Sequence, residues 1–247
     1  MAEKPASPLY QSAFLKLGWP EFVNSVKREK HHALGMRIDV LRGVRRYFRS
    51  NKHLVDLGND ERRRIAGLAG KDQGVDWGYF GSMKGAGWLW TAIDANHPDL
   101  STALDAIPFD GLVVQGDYQA FIEAFKRVAP GGARVAVATR LLSMKRPDMF
   151  TCLDNKNRAG LCKAFGIAQS NRSYARYWSE IIERVRDAVW WNASRPSGGE
   201  EEEIWLGRIA SVVLVRISRT TASNHSGFAS ALPFGLAETS SLRAQPR

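Results

Sequence analysis

In segment after segment of this chain, apolar residues recur at the three- and four-residue spacing of an α-helix. The run GDYQAFIEAFKRVA, residues 116–129, puts Phe121, Ile122, Phe125 and Val128 on one face. Residues 20–51 repeat the pattern with Phe22, Val23, Val26, Leu34, Ile38, Leu41, Val44 and Phe48, and a break is expected near Gly35. Further helices are expected after Asn59 or Asp60 in NDERRRIAGLAG, where a polar cap precedes an acidic first turn and glycine ends the run. Others are expected in WLWTAIDANHPDL and STALDAI, in ARVAVATRLLSM, near Asp154 leading into KNRAGLCKAFGI, and along SYARYWSEIIERVRDAVWWN, with Trp190 and Trp191 in the core. The fold class implied is all-α, arranged in two lobes. Residues 70–87 hold six glycines among aromatics and read as a loop. SRPSGGEEEE reads as a linker, IWLGRIASVVLVRI fits either a strand or a last helix, and the tail beyond about Thr220 is expected to fray. The division expected is therefore a helical domain over residues 1–199 and an acidic linker with tail over 200–247.

Charge narrows the partners. The 247 residues carry a net charge of +10, with 44% hydrophobic residues and eight tryptophans. Such a chain can bury a core, and its basic excess favours a polyanion. No apolar run approaches the roughly 20 residues that span a bilayer, and MAEKPASPLYQ lacks the apolar stretch of a secretion signal. Two cysteines, Cys152 and Cys162, make neither a disulfide framework nor a four-cysteine metal or iron–sulfur site. No metal site is expected, and a cytoplasmic, monomeric protein that binds double-stranded DNA and no membrane is the reading.

The stretch PGGARVAVATRLLSMKRPDMFTCLDNKNR, residues 130–158, carries the chemistry. Pro130 ends one helix, Gly131 and Gly132 turn the backbone, and the first turn of the next helix then offers free N–H groups to a phosphate. Asp154 follows Gly132 by 22 residues, past a proline-bearing bend, at the start of a further helix. A lone carboxylate there has a catalytic use. Cleaving an N-glycosidic bond develops positive charge on the sugar, which an anion stabilises, and the same group can deprotonate an attacking water. Its plain structural use is as an N-cap worth about 1 kcal/mol.

The order hairpin, helix, proline bend and aspartate resembles the helix-hairpin-helix DNA glycosylases over roughly residues 117–165, with the hairpin itself at about 117–145. Alanine stands before Pro130 where the family carries leucine. The resemblance implies Asp154 as the catalytic residue. It implies DNA contacts from Pro130, Gly131, Gly132 and Arg134, with Lys84 and Asn157 grouped beside them, and a monovalent cation at the hairpin as the one candidate cofactor. Members that also cut the strand use a lysine about nineteen residues before the aspartate. Val135 and Arg134 stand there instead, so a monofunctional enzyme leaving an abasic site is implied unless Lys145 or Lys156 substitutes. A flipped base needs a wedge and stacking surfaces; the candidates are Trp77, Tyr79, Met83 and Trp88 in the glycine-rich loop and Tyr177 and Trp178 on a later helix. The arginines Arg37, Arg42, Arg45, Arg46, Arg49 and Arg62–Arg64 are expected to face phosphates. The substrate implied is 8-oxoguanine or a hypermodified phage base such as glucosylated hydroxymethylcytosine, the latter in antiviral defence. The alternative is a non-catalytic helix-hairpin-helix DNA-binding module. A nuclease comes last, because no acidic cluster suited to two metals is visible.

Overall fold

The computed structural model describes residues 13–28, 34–50, 53–129, 134–155, 157–168 and 173–210. They are mostly helical: α1 (Trp19–Arg28), α2 (Leu34–Ser50), α3 (Asn59–Ile65), α4 (Gly87–Asp94), α5 (Pro98–Asp105), α6 (Gln115–Val128), α7 (Val135–Lys145), α8 (Arg158–Phe165), α9 (Tyr174–Arg176), α10 (Glu183–Arg186) and α11 (Gly199–Leu206). Local chemistry sets their starts. The N–H of Gly58 donates to Glu61 at 2.9 Å ahead of α3, and that of Val114 donates to Asp117 at 2.8 Å ahead of α6. In each the carboxylate three residues on satisfies an amide left over at the helix start. Helix α8 stops at Gly166, whose φ of +63° suits glycine.

Between α3 and α4 the expected loop contains two short strands, β1 (Lys71–Asp72) and β2 (Val75–Asp76), paired antiparallel with Asp72 opposite Val75. Gln73 and Gly74 connect them with φ of +47° and +82°, the double left-handed turn that matches strand twist.

The buried apolar residues form one contiguous cluster from Phe14 to Ala210. Helix α5 packs on α6, α2 on α7 and α3 on α4. Trp190 stacks on Phe22 at 4.4 Å with nearly parallel rings and donates its indole N–H to the carbonyl of Phe14. That inward turn explains a departure from the sequence pattern. The helix expected through residue 192 runs as α9, a π-helical stretch over Tyr177–Ile182 and α10, and stops at Arg186. Beyond it Val189 bonds back to the carbonyl of Leu15 and Trp190 enters the core, whereas Trp191 is only half-buried.

The acidic stretch expected as a linker is also ordered otherwise. Residues 199–206 form α11, because Glu203 reaches Arg42 at 2.9 Å and Arg45 at 2.7 Å on α2, while Ile204, Ile209 and Ala210 join the core. The segment beyond residue 210, including the expected frayed tail, lies outside the described residues. No helix among the described residues is long and apolar enough to cross a membrane.

Candidate functional site

Asp154 ends an irregular segment, residues 151–154, whose backbone is held by side chains. Buried backbone groups need partners, and here each is supplied from a different direction. Tyr177 donates its hydroxyl to the carbonyl of Thr151 at 2.7 Å and accepts the Thr151 N–H at 3.1 Å. Asn157 donates its amide to the carbonyl of Cys152 at 2.9 Å. The hydroxyl of Thr139 on α7 accepts the Leu153 N–H at 2.9 Å. Asp154 and Asn157 then close a reciprocal pair: the Asp154 N–H donates to Asn157 Oδ1 at 3.1 Å, and the Asn157 N–H donates to Asp154 Oδ1 at 2.9 Å. This is capping-box chemistry one turn ahead of α8.

The two carboxylate oxygens therefore face different surroundings. Oδ1 serves the turn, whereas Oδ2 lies against the glycine-rich loop, 3.5 Å from the position a Cβ would take on Gly81. Asp154 is half-buried on the wall of a cleft of about 530 Å³, a size suited to a small-molecule ligand. Ser82, Met83 and Trp88 line the loop side. Arg134, Val135 and Ala136 line the side formed by the start of α7, and Arg158 stands on the Asp154 side. Among the described residues, two arginines thus share the cleft with one carboxylate.

Arg140 fixes the loop wall. Fully buried on α7, it donates to the carbonyls of Ile65 at 3.1 Å, Arg64 at 3.3 Å, Trp77 at 3.0 Å and Tyr79. Burial lowers its pKa to about 10, so it remains a cation at neutral pH. Its fork ties the end of α3 to the strand–loop segment. Just beyond, Phe80 has a φ of +65° and Gly81 one of +105°. Phe80 is a bulky residue in a conformation it rarely adopts, held where the loop approaches Asp154. Cys152, beneath the same loop, is buried, and its thiol is pushed up to about 12 by that burial.

The expected site residues divide. Asp154, Arg134, Met83 and Trp88 meet at the cleft, and Asn157 supports Asp154. Trp77 is buried instead, stacked on Tyr47 at 6.0 Å with its ring against Gly43. Tyr79 turns its hydroxyl toward Met36. Tyr177 and Trp178 are core residues. Tyr177 clamps Thr151, and Trp178 stacks on Tyr118 at 5.1 Å and donates to Glu183. None of these four lines the cleft. Lys84 lines a separate groove with Arg63, Arg64 and Trp90. Pro130, Gly131 and Gly132, and with them the hairpin cation, lie outside the described residues, as does Lys156. Of the amides expected to meet a phosphate, that of Arg134 donates to the Tyr174 hydroxyl at 2.9 Å. Lys145 sits ten residues along α7 from Val135, about 15 Å away, with its ammonium 4.4 Å from the centre of the Phe48 ring.

The arginine run is mostly committed within the fold. Arg37 is buried, Arg42 and Arg45 hold Glu203, Arg62 binds the carbonyl of Ile93, Arg63 holds Asp94 and Arg64 holds Asp72. Arg46 and Arg49 are exposed. Arg140 and Arg158 were not singled out from the sequence. The signal for Arg140 is a lone arginine inside an otherwise apolar helical run, and Arg158 is the first residue of α8, whose N-cap is Asn157 and not the expected Asp154. Among the described residues there is no group of three or more His, Cys, Asp or Glu that could hold a metal ion. No protein-family model matches this chain, and no curated protein or solved structure matches it.

Proposed function

We propose that this protein is a monofunctional DNA glycosylase, an N-glycosyl hydrolase that removes a modified base turned out of the duplex and leaves an abasic site. One observation carries the reading: a carboxylate fixed by a reciprocal hydrogen-bonded pair stands in a cleft about the size of a small-molecule site, beside Arg134, Arg158 and the first turn of α7. In the reaction Asp154 stabilises the cationic sugar and takes a proton from water as the oxygen bonds to C1′. The C1′–N bond breaks, and the base leaves with the bonding electrons. Arg134 and Arg158 supply cations for the phosphates of the displaced nucleotide, and Met83 and Trp88 supply apolar surface for the base. No lysine is among the described residues lining the cleft, which supports attack by water rather than by an amine. The reading carries with it the two-lobed helix-hairpin-helix arrangement, a monomer acting on double-stranded DNA in the cytoplasm, and either 8-oxoguanine or a bulky phage base as substrate.

A second reading has its own observation. The bond from the Asn157 amide to Asp154 Oδ1 is all that a helix cap requires, and a DNA-binding module would need no more. Free-base mass spectrometry separates the two. Oxidised, alkylated, uracil-containing and glucosylated-cytosine DNAs are incubated with the wild-type protein and with Asp154→Asn. Release of one base, lost by about 10²- to 10⁴-fold in the variant with fold and DNA affinity retained, is expected. Excision by Asp154→Asn at the wild-type rate refutes the mechanism, and no release from any DNA with tight binding favours the module.

A further inference from the structure

The start of α7 is held by a side chain forty positions further along the sequence. Arg134 is the N-cap of α7, and its own side chain does not cap the helix. Its backbone N–H donates instead to the Tyr174 hydroxyl at 2.9 Å. Tyr174 is anchored in turn. Tyr118 on α6 donates its hydroxyl to the Tyr174 carbonyl at 2.9 Å, and Ser173 accepts the Arg176 N–H at 3.2 Å to cap α9. Tyr118 is itself buried, its ring stacked on Trp178. One tyrosine thus joins α6 to the first residue of α7.

Three residues on, Tyr177 clamps Thr151 by two bonds. Helical residues three apart lie on one face. The single turn from Tyr174 to Tyr177 therefore presents two phenols, one to the start of α7 and one to the segment that ends in Asp154. We propose that Tyr174 is a positioning residue for the cleft, fixing the start of α7 so that Arg134 stands at a set distance from Asp154. The inference rests on the glycosylase reading for the use of that spacing, which is to seat a sugar at the carboxylate while its phosphate meets the guanidinium.

The chemistry suits a permanent brace. Burial raises the pKa of Tyr174 and of Tyr118 above the ordinary phenol value. Both stay un-ionised at neutral pH, so Tyr118 keeps the proton that it donates. Arg134 is exposed, and its N–H can take a water if the phenol oxygen is removed. The loss to overall stability is then small, because no buried donor is stranded. What is lost is the fixed backbone from which a long, flexible side chain reaches into the cleft; an N-terminal amide left to solvent lets the first helical turn fray.

The test is fluorescence anisotropy on a labelled duplex carrying a tetrahydrofuran abasic-site analogue, with Tyr174→Phe, Arg134→Ala and the double variant in the full chain. Tyr174→Phe is expected to weaken binding roughly three- to tenfold, the effect of one hydrogen bond, and to lower Tm by less than about 4 °C. In the Arg134→Ala background the same change is expected to leave affinity unaltered, since no guanidinium remains to be placed. Tyr118→Phe keeps the Tyr174 hydroxyl but removes its anchor, and is expected to weaken binding in the same Arg134-dependent way. Wild-type affinity in Tyr174→Phe overturns the proposal, as does equal weakening with and without the Arg134 side chain. Hydrogen exchange of the Arg134 amide, followed by ¹⁵N NMR without DNA, separates this proposal from the reading on which it rests. Faster exchange in Tyr174→Phe, in a protein that binds no duplex, retains the brace and removes the glycosylase reading. Unchanged exchange, with duplex binding intact in every variant, does the reverse.

Discussion

Gly81 gives the sharpest test of how the cleft is built. It lies at a φ of +105°, and a Cβ there would stand 2.8 Å from Cys152 Sγ, 3.1 Å from Met83 Cε and 3.5 Å from Asp154 Oδ2. Alanine at that φ costs about 1–3 kcal/mol. The Met83 methyl is the end of a flexible chain and can move aside. The Cys152 sulfur is fully buried on a clamped segment and cannot, so overpacking adds about 1–3 kcal/mol. Reduced freedom of the unfolded chain returns about 0.4–1 kcal/mol. The net loss expected for Gly81→Ala is about 1–5.6 kcal/mol, a drop in Tm of roughly 2–22 °C for a chain of this size.

Gly85→Ala is the control four residues away, with open space around its Cβ and no positive φ; it should stay within about 0.5 kcal/mol of wild type. Thermal melts followed by circular dichroism read both. A Gly81→Ala, Cys152→Ala double variant should recover part of the loss, since the shortest contact is gone, giving a coupling of about 1 kcal/mol in a double-mutant cycle. Equal stability of Gly81→Ala and Gly85→Ala would refute the packing of the loop against Cys152 and Asp154.

Three further outcomes follow from the same geometry. Arg140→Met leaves the carbonyls of Ile65, Arg64, Trp77 and Tyr79 without their donor and should destabilise by more than about 3 kcal/mol, read by denaturant titration. Burial alone would raise the Glu203 pKa, but hydrogen bonds from Arg45 and Arg42 outweigh it and lower it. A depressed carboxylate stabilises above its unfolded pKa, about 4.3, and loses that contribution as pH falls through its folded pKa. Glu203→Gln should therefore lower Tm at pH 7 by an amount equivalent to about 1 kcal/mol, with the gap to wild type closing in stronger acid. Burial raises the pKa of both thiols, Cys152 to about 12, so iodoacetamide at pH 8 should leave the native protein unlabelled by intact mass while labelling both cysteines in urea.

Helix content was legible because α1, α2 and α6 each bury one stripe and expose the other, which is what a 3.6-residue period reports. The acidic first turn around Glu61 announced a helix start, whereas the caps fall elsewhere: Gly58 is the N-cap of α3 where Asn59 or Asp60 was expected, and Asn157 is the N-cap of α8 where Asp154 was. Partners far along the chain were not legible. Arg42 and Arg45 find Glu203 some 160 positions away, and Arg63 finds Asp94 after 31. A run of arginines thus reads as a phosphate face until those carboxylates come into place. Tyr177 and Trp178 could face a pocket, although an aromatic at helical spacing is more often core. Only the closure of Tyr177 on Thr151 distinguishes them. Arg140 escaped notice because α7 is buried almost all round, so its pattern has no polar face against which one charge would look misplaced.

That buried helix also explains how the cleft keeps its shape. Consecutive residues on an α-helix point about 100° apart, so Thr139 and Arg140 reach two different walls. Thr139 donates to the carbonyl of Val135 at 2.7 Å and accepts the Leu153 N–H at 2.9 Å, fixing the segment that carries Asp154. Arg140 gathers four carbonyls and fixes the wall that ends in Gly81 and Met83. Arg134, Val135 and Ala136, at the start of the same helix, form the third side. Three walls contributed by distant stretches of chain are thus referred to one eleven-residue helix. The carboxylate is held against the loop by main-chain bonds to a rigid element, not by the loop's own stability. A site whose supports are locked in this way is preorganised. On the glycosylase reading, the cost of turning a base out of the duplex is then offset by binding in a cleft whose described walls are already in place.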